Sequence, residues 1–214
     1  SGIMTPQNVL KKNIVLLTDC LADLAGGAEK QIFELAKGLD KNAYNVHVIS
    51  LETWGQAPRK IIESTGSQLQ IFKVVRIYGL SGLIQGLRFK QFLKDNQIDV
   101  LVTYHFSSDI WGTFWGHLAG VKKIISNRRD MGFWRSSLHI AAYKLVNRWV
   151  NKIVVVSTSI KEMVISKEGY DPNSIDLIYN GVGLPEKYTQ DAQELRTQLG
   201  LKNDDIVIMH VANL

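Results

Sequence analysis

The sequence predicts an α/β domain built on a doubly wound parallel sheet. Short apolar runs rich in β-branched residues alternate with segments of helical period along most of the chain. Its 214 residues, with a hydrophobic fraction of 45% and a charged fraction of 21%, are those of an ordinary globular protein with ample material for a core. The alternation breaks after Asn180, which marks the end of the main domain.

Asn13–Thr18 (NIVLLT) reads as the first strand, and Gly27–Leu39 as the helix that follows its loop. Tyr44–Leu51 and Gln68–Val75 alternate as strands do. Leu83–Leu93 has helical spacing, with Leu87, Lys90 and Lys94 on successive turns. Ile98–Thr103 then reads as a strand, Ser108–Ala119 as a helix, Lys123–Ser126 as a buried strand and Trp134–Val150 as a long helix. Ile153–Ser157, a helix over Ser159–Lys167, and Ile175–Tyr179 complete about seven strands. Strand and helix in regular alternation argue for a parallel sheet with helices on both faces. Past Asn180, Gly181–Pro185 has linker composition, Gln190–Leu199 reads as a helix and Ile206–Val211 (IVIMHV) as a new strand. The expected organisation is therefore a main domain over residues 4–183 and, over residues 184–214, the opening of a second. A strand without sheet neighbours is expected to be mobile or to self-associate. Ser1–Ile3 reads as a cloning remnant before a native Met4.

The net charge of +5 and pI near 9.2 suit phosphate groups, nucleotides or an anionic membrane. Dense Lys/Arg runs and base-reading signatures are missing, so no nucleic-acid partner is expected. Cys20 is the single cysteine, which rules out an internal disulfide and suits a reducing cytoplasm. No base in the sequence points to Cys20 as a nucleophile. No run approaches the ~18 apolar residues of a bilayer span, and the start is not a signal peptide. The expected location is cytoplasmic, with peripheral contact to the inner face of the membrane as an option. No His/Cys/Asp/Glu group has metal-ligand spacing, so neither a metal nor a cofactor is expected.

Gly26-Gly27-Ala28-Glu29 falls where the first strand's loop enters the first helix, at the sheet edge where ligands bind in such folds. Two glycines let backbone approach a ligand, and the N–H groups and dipole of a helix start suit a diphosphate. Glycine required by the loop geometry alone is the plainer alternative. G-x-G-x-x-G and P-loop patterns are absent, which removes the main support for an NAD enzyme or an NTPase. Asn127-Arg128-Arg129-Asp130 follows a later strand at the same edge. Its arginines could grip a phosphate or carboxylate by forked hydrogen bonds, with Asp130 orienting them or contacting sugar hydroxyls. A surface salt-bridge cluster is the alternative. Trp134, Leu138, Ala141 or Ala142, Leu145 and Trp149 make an apolar helical face, with Lys144, Arg148 and Lys152 on another. A core-facing helix is the plain reading and an anionic lipid surface the other. Trp111, Phe114 and Trp115 read as core or cleft aromatics.

Gly26-Gly27-Ala28-Glu29-Lys30-Gln31 with Phe33-Glu34-Leu35-Ala36-Lys37-Gly38-Leu39 resembles the first loop and helix of glycosyltransferase family 4. Val154-Val155-Val156-Ser157-Thr158-Ser159, followed by Ile178-Tyr179-Asn180-Gly181-Val182, is similar to that family's late strand, helix and crossover. Leu195–Leu201 and Val211–Leu214 resemble the opening of its second domain. The resemblance implies the Rossmann-like N-terminal, acceptor-side domain of a retaining GT-B enzyme of hexosyltransferase type, active in polysaccharide or glycolipid synthesis. It implies a nucleotide-diphosphate sugar as donor substrate and a carbohydrate or lipid-linked acceptor. Gly26 and Gly27 would hold the donor diphosphate, and Arg128, Arg129 and Asp130 the acceptor. Where many members carry H-x-H after the fourth strand, this chain has Val102-Thr103-Tyr104 and then His105, the candidate catalytic residue. The family's usual Asp after N-G-V is Gly183 here. Base recognition belongs to the family's second domain, so the chain alone is expected to be inactive. A non-catalytic sugar- or lipid-head-group-binding domain and a GT-B-fold sugar-nucleotide epimerase are the competing readings.

Overall fold

A computed structural model describes residues 11–22, 26–53, 57–181, 192–202 and 204–208, apart from the side chains at 53 and 57. Seven strands form one parallel sheet in the order β3-β2-β1-β4-β5-β6-β7. They are β1 (Lys12–Leu21), β2 (Tyr44–Thr53), β3 (Gln68–Ile71), β4 (Val100–Tyr104), β5 (Lys123–Arg128), β6 (Lys152–Val155) and β7 (Ile175–Leu177). The chain winds outward from β1 to β3, then returns to β4 beside β1 and proceeds to the other edge. The predicted α/β class and its doubly wound topology are both present.

β1 is buried on both faces, and its Val15, Leu16 and Leu17 are without solvent contact. A strand covered twice reads as a continuous apolar run, which is why NIVLLT does not alternate. On one face Ile14 and Leu16 pack with Ile32 and Ala36 of α1 (Gly27–Gly38) and Ile62 of α2 (Ala57–Ser64). On the other, Val15 and Leu17 meet Phe89 and Leu93 of α3 (Leu80–Asp95), Trp115 of α4 (Thr113–Ala119), and Ile160 and Met163 of α6 (Thr158–Met163). Tyr143 and Val146 of α5 (Ser137–Val146) close that layer against Ile110.

Several boundaries differ from the expected ones for identifiable reasons. α2 went unpredicted: it is short, and Pro58, tolerated in a first helical turn, masks it. α5 starts at Ser137 rather than Trp134, because the Ser136 N–H donates to His139 Nδ1 at 3.0 Å and fixes the start there. The predicted helices over Ser108–Ala119 and Ser159–Lys167 are composite: π turns at Ser108–Gly112 and Val164–Glu168 adjoin α4 and α6. The apolar face predicted on α5 does not face the core, which is reached by Tyr143 and Val146, and Leu138 and Leu145 are exposed.

The chain divides into two compact units, residues 1–180 and 181–214. The predicted boundary at 183–184, the linker past Gly181, Ser1–Met4, Gln190 and residues 209–214 lie outside the described residues. In the second unit α7 (Ala192–Gln198) ends at Gly200, whose φ of +70° needs a residue without Cβ crowding. Ile206–Ile208, the described part of the predicted strand, is irregular, with no strand pairing to it among the described residues.

Candidate active site

The strand order reverses beside β1, and open α/β sheets bind ligands outside the carboxyl ends of their strands at such a point, here those of β1 and β4. Larger clefts of about 540 and 620 Å³ open at the amino edge, lined by residues such as Lys11, Asn13 and Gln97. None of the predicted site residues lines them, so we place the site at the carboxyl edge. Three structures meet there: the start of α1, the turn after β4, and the strand ends of β5 to β7.

α1 begins at Gly27 with Gly26 as its N-cap in extended conformation. Glu29 folds back so that its carboxylate accepts the Gly26 N–H at 2.8 Å, the reciprocal half of a capping box. Glycine has no side chain to supply the other half. Consequently the N–H groups of Gly27, Ala28 and Glu29 have no acceptor among the described residues, and they stand at the positive end of the helix dipole. A Cβ at Gly27 would meet nothing within 4 Å, whereas one at Gly26 would overlap the Glu29 carboxylate. Gly27 is thus required neither by packing nor by φ.

The turn after β4 carries His105 in the left-handed region, φ +72°, which is strained for a residue with a side chain. Thr18, at the end of β1, holds its imidazole: Oγ1 and Nδ1 are 3.2 Å apart. The same hydroxyl lies 3.4 Å from the Cys20 carbonyl. When it donates to that carbonyl, Nδ1 carries the imidazole proton and Nε2 is left as a base. Asp19 supports the arrangement by accepting the N–H groups of Ser107 (3.0 Å) and Ser108 (2.5 Å), capping the helical segment that follows His105. Sequence reasoning missed Asp19, although a carboxylate directly after the first strand is a recognisable signal for a cross-loop cap. Burial, then the charges of Glu52, Glu29 and Asp19, push the Cys20 thiol up and keep it protonated, which suits no nucleophile.

The structure separates the three residues predicted to act together after β5. Strand alternation sends Arg128 and Arg129 to opposite faces of the sheet. Arg129 lies in a cleft of about 260 Å³ on the α1 face, whose walls include Gln31, Tyr104, Asn127 and Tyr179. Its guanidinium donates to Asn180 Oδ1, joining the end of β5 to the segment after β7. Burial lowers its pKa, partly offset by Tyr104. Burial pushes the Tyr104 phenol up to about 12. Asp130 instead stabilises its own turn, accepting from Gly132 N at 2.6 Å and from Arg135 at 3.2 Å. Gly26 and Gly27 form no hydrogen bond to His105 or Arg129 among the described residues.

Arg128 corrects an expectation. It is 1% exposed, and its guanidinium is saturated by Asp109 (2.6 Å), Glu168 (3.1 and 3.3 Å), Asn147 (3.0 Å) and Ser126. Its face lies 4.0 Å from the Tyr143 ring centre. No donor is left for an acceptor substrate. Burial alone would disfavour the charge, but Asp109 and Glu168 outweigh it and hold the Arg128 pKa above its ordinary value. Burial pushes Asp109 up, opposed by Arg128 and by the hydroxyls of Ser126 and Thr103. Arg135 extends the network to Glu168 at 3.1 Å. Both carboxylates that hold Arg128 come from the π turns, Asp109 from Ser108–Gly112 and Glu168 from Val164–Glu168. For Asp109 the signal in the sequence was an acid inside an otherwise apolar helical pattern, whereas Glu168 follows the predicted end of its helix at Lys167.

No group of His, Cys, Asp and Glu suited to holding a metal ion is found among the described residues.

A family model described as Glycosyltransferase Family 4 matches residues 25–184. Among solved structures, Anabaena HepE in complex with UDP and glucose superposes with a TM-score of 0.69 at 20% identity, covering 87% of this chain and 50% of that one. A glycosyltransferase from Rickettsia africae gives 0.68 at 16% identity, covering 91% and 51%. The sucrose-phosphate synthase of Thermosynechococcus elongatus gives 0.65 at 15% identity, covering 91% and 54%. A search of curated proteins found no match. At these identities the superpositions compare folds, and the chain spans about half the length of the structures it matches. The fold is that of the Rossmann-like N-terminal domain of GT-B glycosyltransferases. With the family model matching most of its length, the start of α1 included, the chain belongs to Glycosyltransferase Family 4.

Proposed function

We propose that this chain is the acceptor-side part of an enzyme that moves a hexosyl unit from a nucleotide-diphosphate sugar to an acceptor hydroxyl, with retention of configuration. The acceptor is a carbohydrate or lipid-linked sugar of polysaccharide or glycolipid synthesis, met in the cytoplasm or at the membrane's inner face. The observation that carries the donor half is the glycine-capped start of α1, with first-turn N–H groups left for an anion beside the switch point. They would hold the leaving diphosphate and stabilise the charge that grows on it as the glycosidic bond breaks. Glu29 must yield or share the Gly26 N–H when that anion arrives. His105, fixed by Thr18, faces the reacting sugar with its second nitrogen. Arg129 lines the acceptor side, and Asp130 shapes the turn beside it. Superposition on Anabaena HepE in complex with UDP and glucose supports a nucleotide sugar as donor. No metal or further cofactor enters this reading.

The test is a transfer assay on the enzyme carrying this chain together with a nucleotide-binding second domain, followed by NMR of the product's anomeric proton. Transfer with the donor's configuration kept is the expected result. Isomerised free sugar without transfer would establish an epimerase, and sugar binding without turnover a binding domain. The 214-residue chain alone is expected to show no turnover.

A further inference from the structure

The amino edge of the sheet, opposite His105 and the start of α1, carries a second concentration of polar side chains. Along that edge β1 and β2 pair Asn13 with Asn45, and β2 and β3 pair His47 with Gln68. Strand alternation sends these four to the face covered by α3, because Asn13 keeps phase with Val15 and His47 with Ile49, which pack there. The apolar layer ends short of them. Leu93 is the last buried residue of α3, and the helix closes at Asn96 and Gln97. A cavity of about 540 Å³ lies at this end, within the range of roughly 300–1,000 Å³ usual for ligand pockets. Its walls include Asn13, Asn45, His47, Gln68, Asn96 and Gln97.

Asn45 Nδ2 donates to Asn13 Oδ1 at 2.9 Å and Asn13 Nδ2 to the Gln97 carbonyl at 3.3 Å, which ties both strands to the end of α3. The side chains of Lys11, His47, Gln68 and Gln97, by contrast, form no hydrogen bond among the described residues. His47 is the diagnostic member. It is 8% exposed, its ring meets the Phe92 ring edge-on at 5.5 Å between centres, and its Nδ1 is sealed from solvent without a partner. A buried polar atom left unpaired destabilises the fold, whereas a phenylalanine would keep the same ring contact without that penalty. Burial pushes the imidazole pKa down, so the ring is neutral at pH 7 and offers one N–H and one lone pair. The amides around it likewise carry a donor and an acceptor side by side. Asp95 adds a further acceptor, which would repel an anion at this end. A ligand that satisfies such groups must itself both donate and accept, as a row of hydroxyls does and an oxyanion does not.

A second cleft of about 620 Å³ continues along the edge and shares Lys11, Asn13 and Gln97 with the first. It adds Lys12, Lys94 and Lys122 against Asp99, which already accepts the Asn13 N–H at 3.0 Å and faces Lys122 at 3.8 Å. Lys11, Lys12 and Lys94 form no ion pair among the described residues. These cations suit an acidic substituent. We propose that the amino-edge cleft is a carbohydrate-binding site, its amide-lined end taking the vicinal hydroxyls of a sugar ring and its lysine-lined end the acidic group of a neighbouring unit. Ten-residue β1 separates the two edges of the sheet by about 30 Å. The cleft is therefore no part of the transfer site, and its occupancy does not depend on the transfer reading.

The experiment is calorimetric titration of the 214-residue chain with three ligands. Tetragalacturonate carries both vicinal hydroxyls and carboxylates, maltotetraose lacks the charge, and inorganic phosphate lacks the hydroxyl row. Both tetrasaccharides should bind, the acidic one about tenfold more tightly at low salt, and phosphate should not displace maltotetraose. His47→Phe should weaken both by about tenfold while leaving the melting temperature unchanged or raised. Gln68→Ala with Gln97→Ala, both exposed, should weaken both by a similar factor without change in circular dichroism. Lys12→Gln with Lys94→Gln should remove only the preference for the acidic ligand. Absence of binding by either tetrasaccharide overturns the proposal. So does binding that Arg129→Ala abolishes and the amino-edge variants leave intact, which would place the sugar at the carboxyl edge. Tetragalacturonate binding weakened by the lysine pair alone would reduce the cleft to its charges and overturn the proposal equally.

Discussion

Arg128 and Arg129 are consecutive, identical in chemistry, and sent by one strand into opposite surroundings. Arg128 enters a closed layer where carboxylates, an amide and a hydroxyl take up its guanidinium. Arg129 enters an open cleft with one named partner, Asn180. The first is a structural cation whose removal leaves buried Asp109 without its arginine and Glu168 with Arg135 as its remaining cation. The second can exchange its partner for a substrate at small cost to the fold. The difference teaches that a basic dipeptide at a strand end carries no role until the face of each residue is known.

The largest expected effect falls on the closed side. Arg128→Met should destabilise the protein by about 3–5 kcal/mol, because breaking one partner of a buried ion group leaves uncompensated charge. Urea unfolding measures it, and adding Asp109→Leu and Glu168→Leu should restore much of the loss. A loss below about 1 kcal/mol would mean that the network is not the element that fixes β5 to the helical layer.

On the open side, Gly27→Val in the enzyme with its second domain should cut turnover by about 10²–10³-fold with the fold intact, by analogy with loss of an oxyanion donor. The space around Gly27 accommodates a side chain, so an unfolded variant would contradict the geometry and a fully active one the phosphate role. Arg129→Ala should leave stability within about 0.5 kcal/mol. It should raise the acceptor KM by about tenfold, the scale of a charged hydrogen bond. A selective rise in the donor KM would move Arg129 to the other substrate.

A smaller effect separates the two sides by pH. Tyr104, beneath Arg129, has a folded pKa of about 12 against an ordinary value of 10. Below pH 10 the phenol is neutral in both states and its full contribution is present. As pH rises toward 12 the unfolded chain ionises first, so stability falls by up to about 1.4 kcal/mol per unit. Tyr104→Phe should flatten this alkaline slope in chemical unfolding, with Tyr143, Tyr170, Tyr78 and Cys20, all pushed up by burial, contributing to what remains. The smallest expected effect concerns Ile206 and Ile208, each 92% exposed. Light scattering on this chain and on one ending at Gly183 should show weak self-association only in the longer; identical monomers would remove that expectation.

The sheet was legible in the sequence because β1 and β4, covered on both faces, carry near-continuous apolar runs, while β2 alternates as a strand does. The composite helices were not, since a π turn preserves apolar content while shifting phase. The Gly26-Gly27 helix start and the position of His105 after β4 were also readable. What could not be read was the sorting of Arg128 from Arg129, or the outward leucines of α3. Each depends on which neighbour fills the inner face, and for α3 the filling comes from Trp111 and Trp115 of another element.

The two π turns have a consequence for chain length itself. Each inserts one residue beyond the regular helical count, and that extra residue sets the direction in which Asp109 or Glu168 points. Deleting a single residue within Ser108–Gly112 would rewind the turn to an ordinary helix and rotate what precedes it by roughly 100° relative to α4. Asp109 would then sweep away from Arg128 although every residue of the ion group was still encoded. For this protein a one-codon deletion there is equivalent to losing a charge, so tolerance to length change should be lowest at these two turns, ahead of many substitutions in the core.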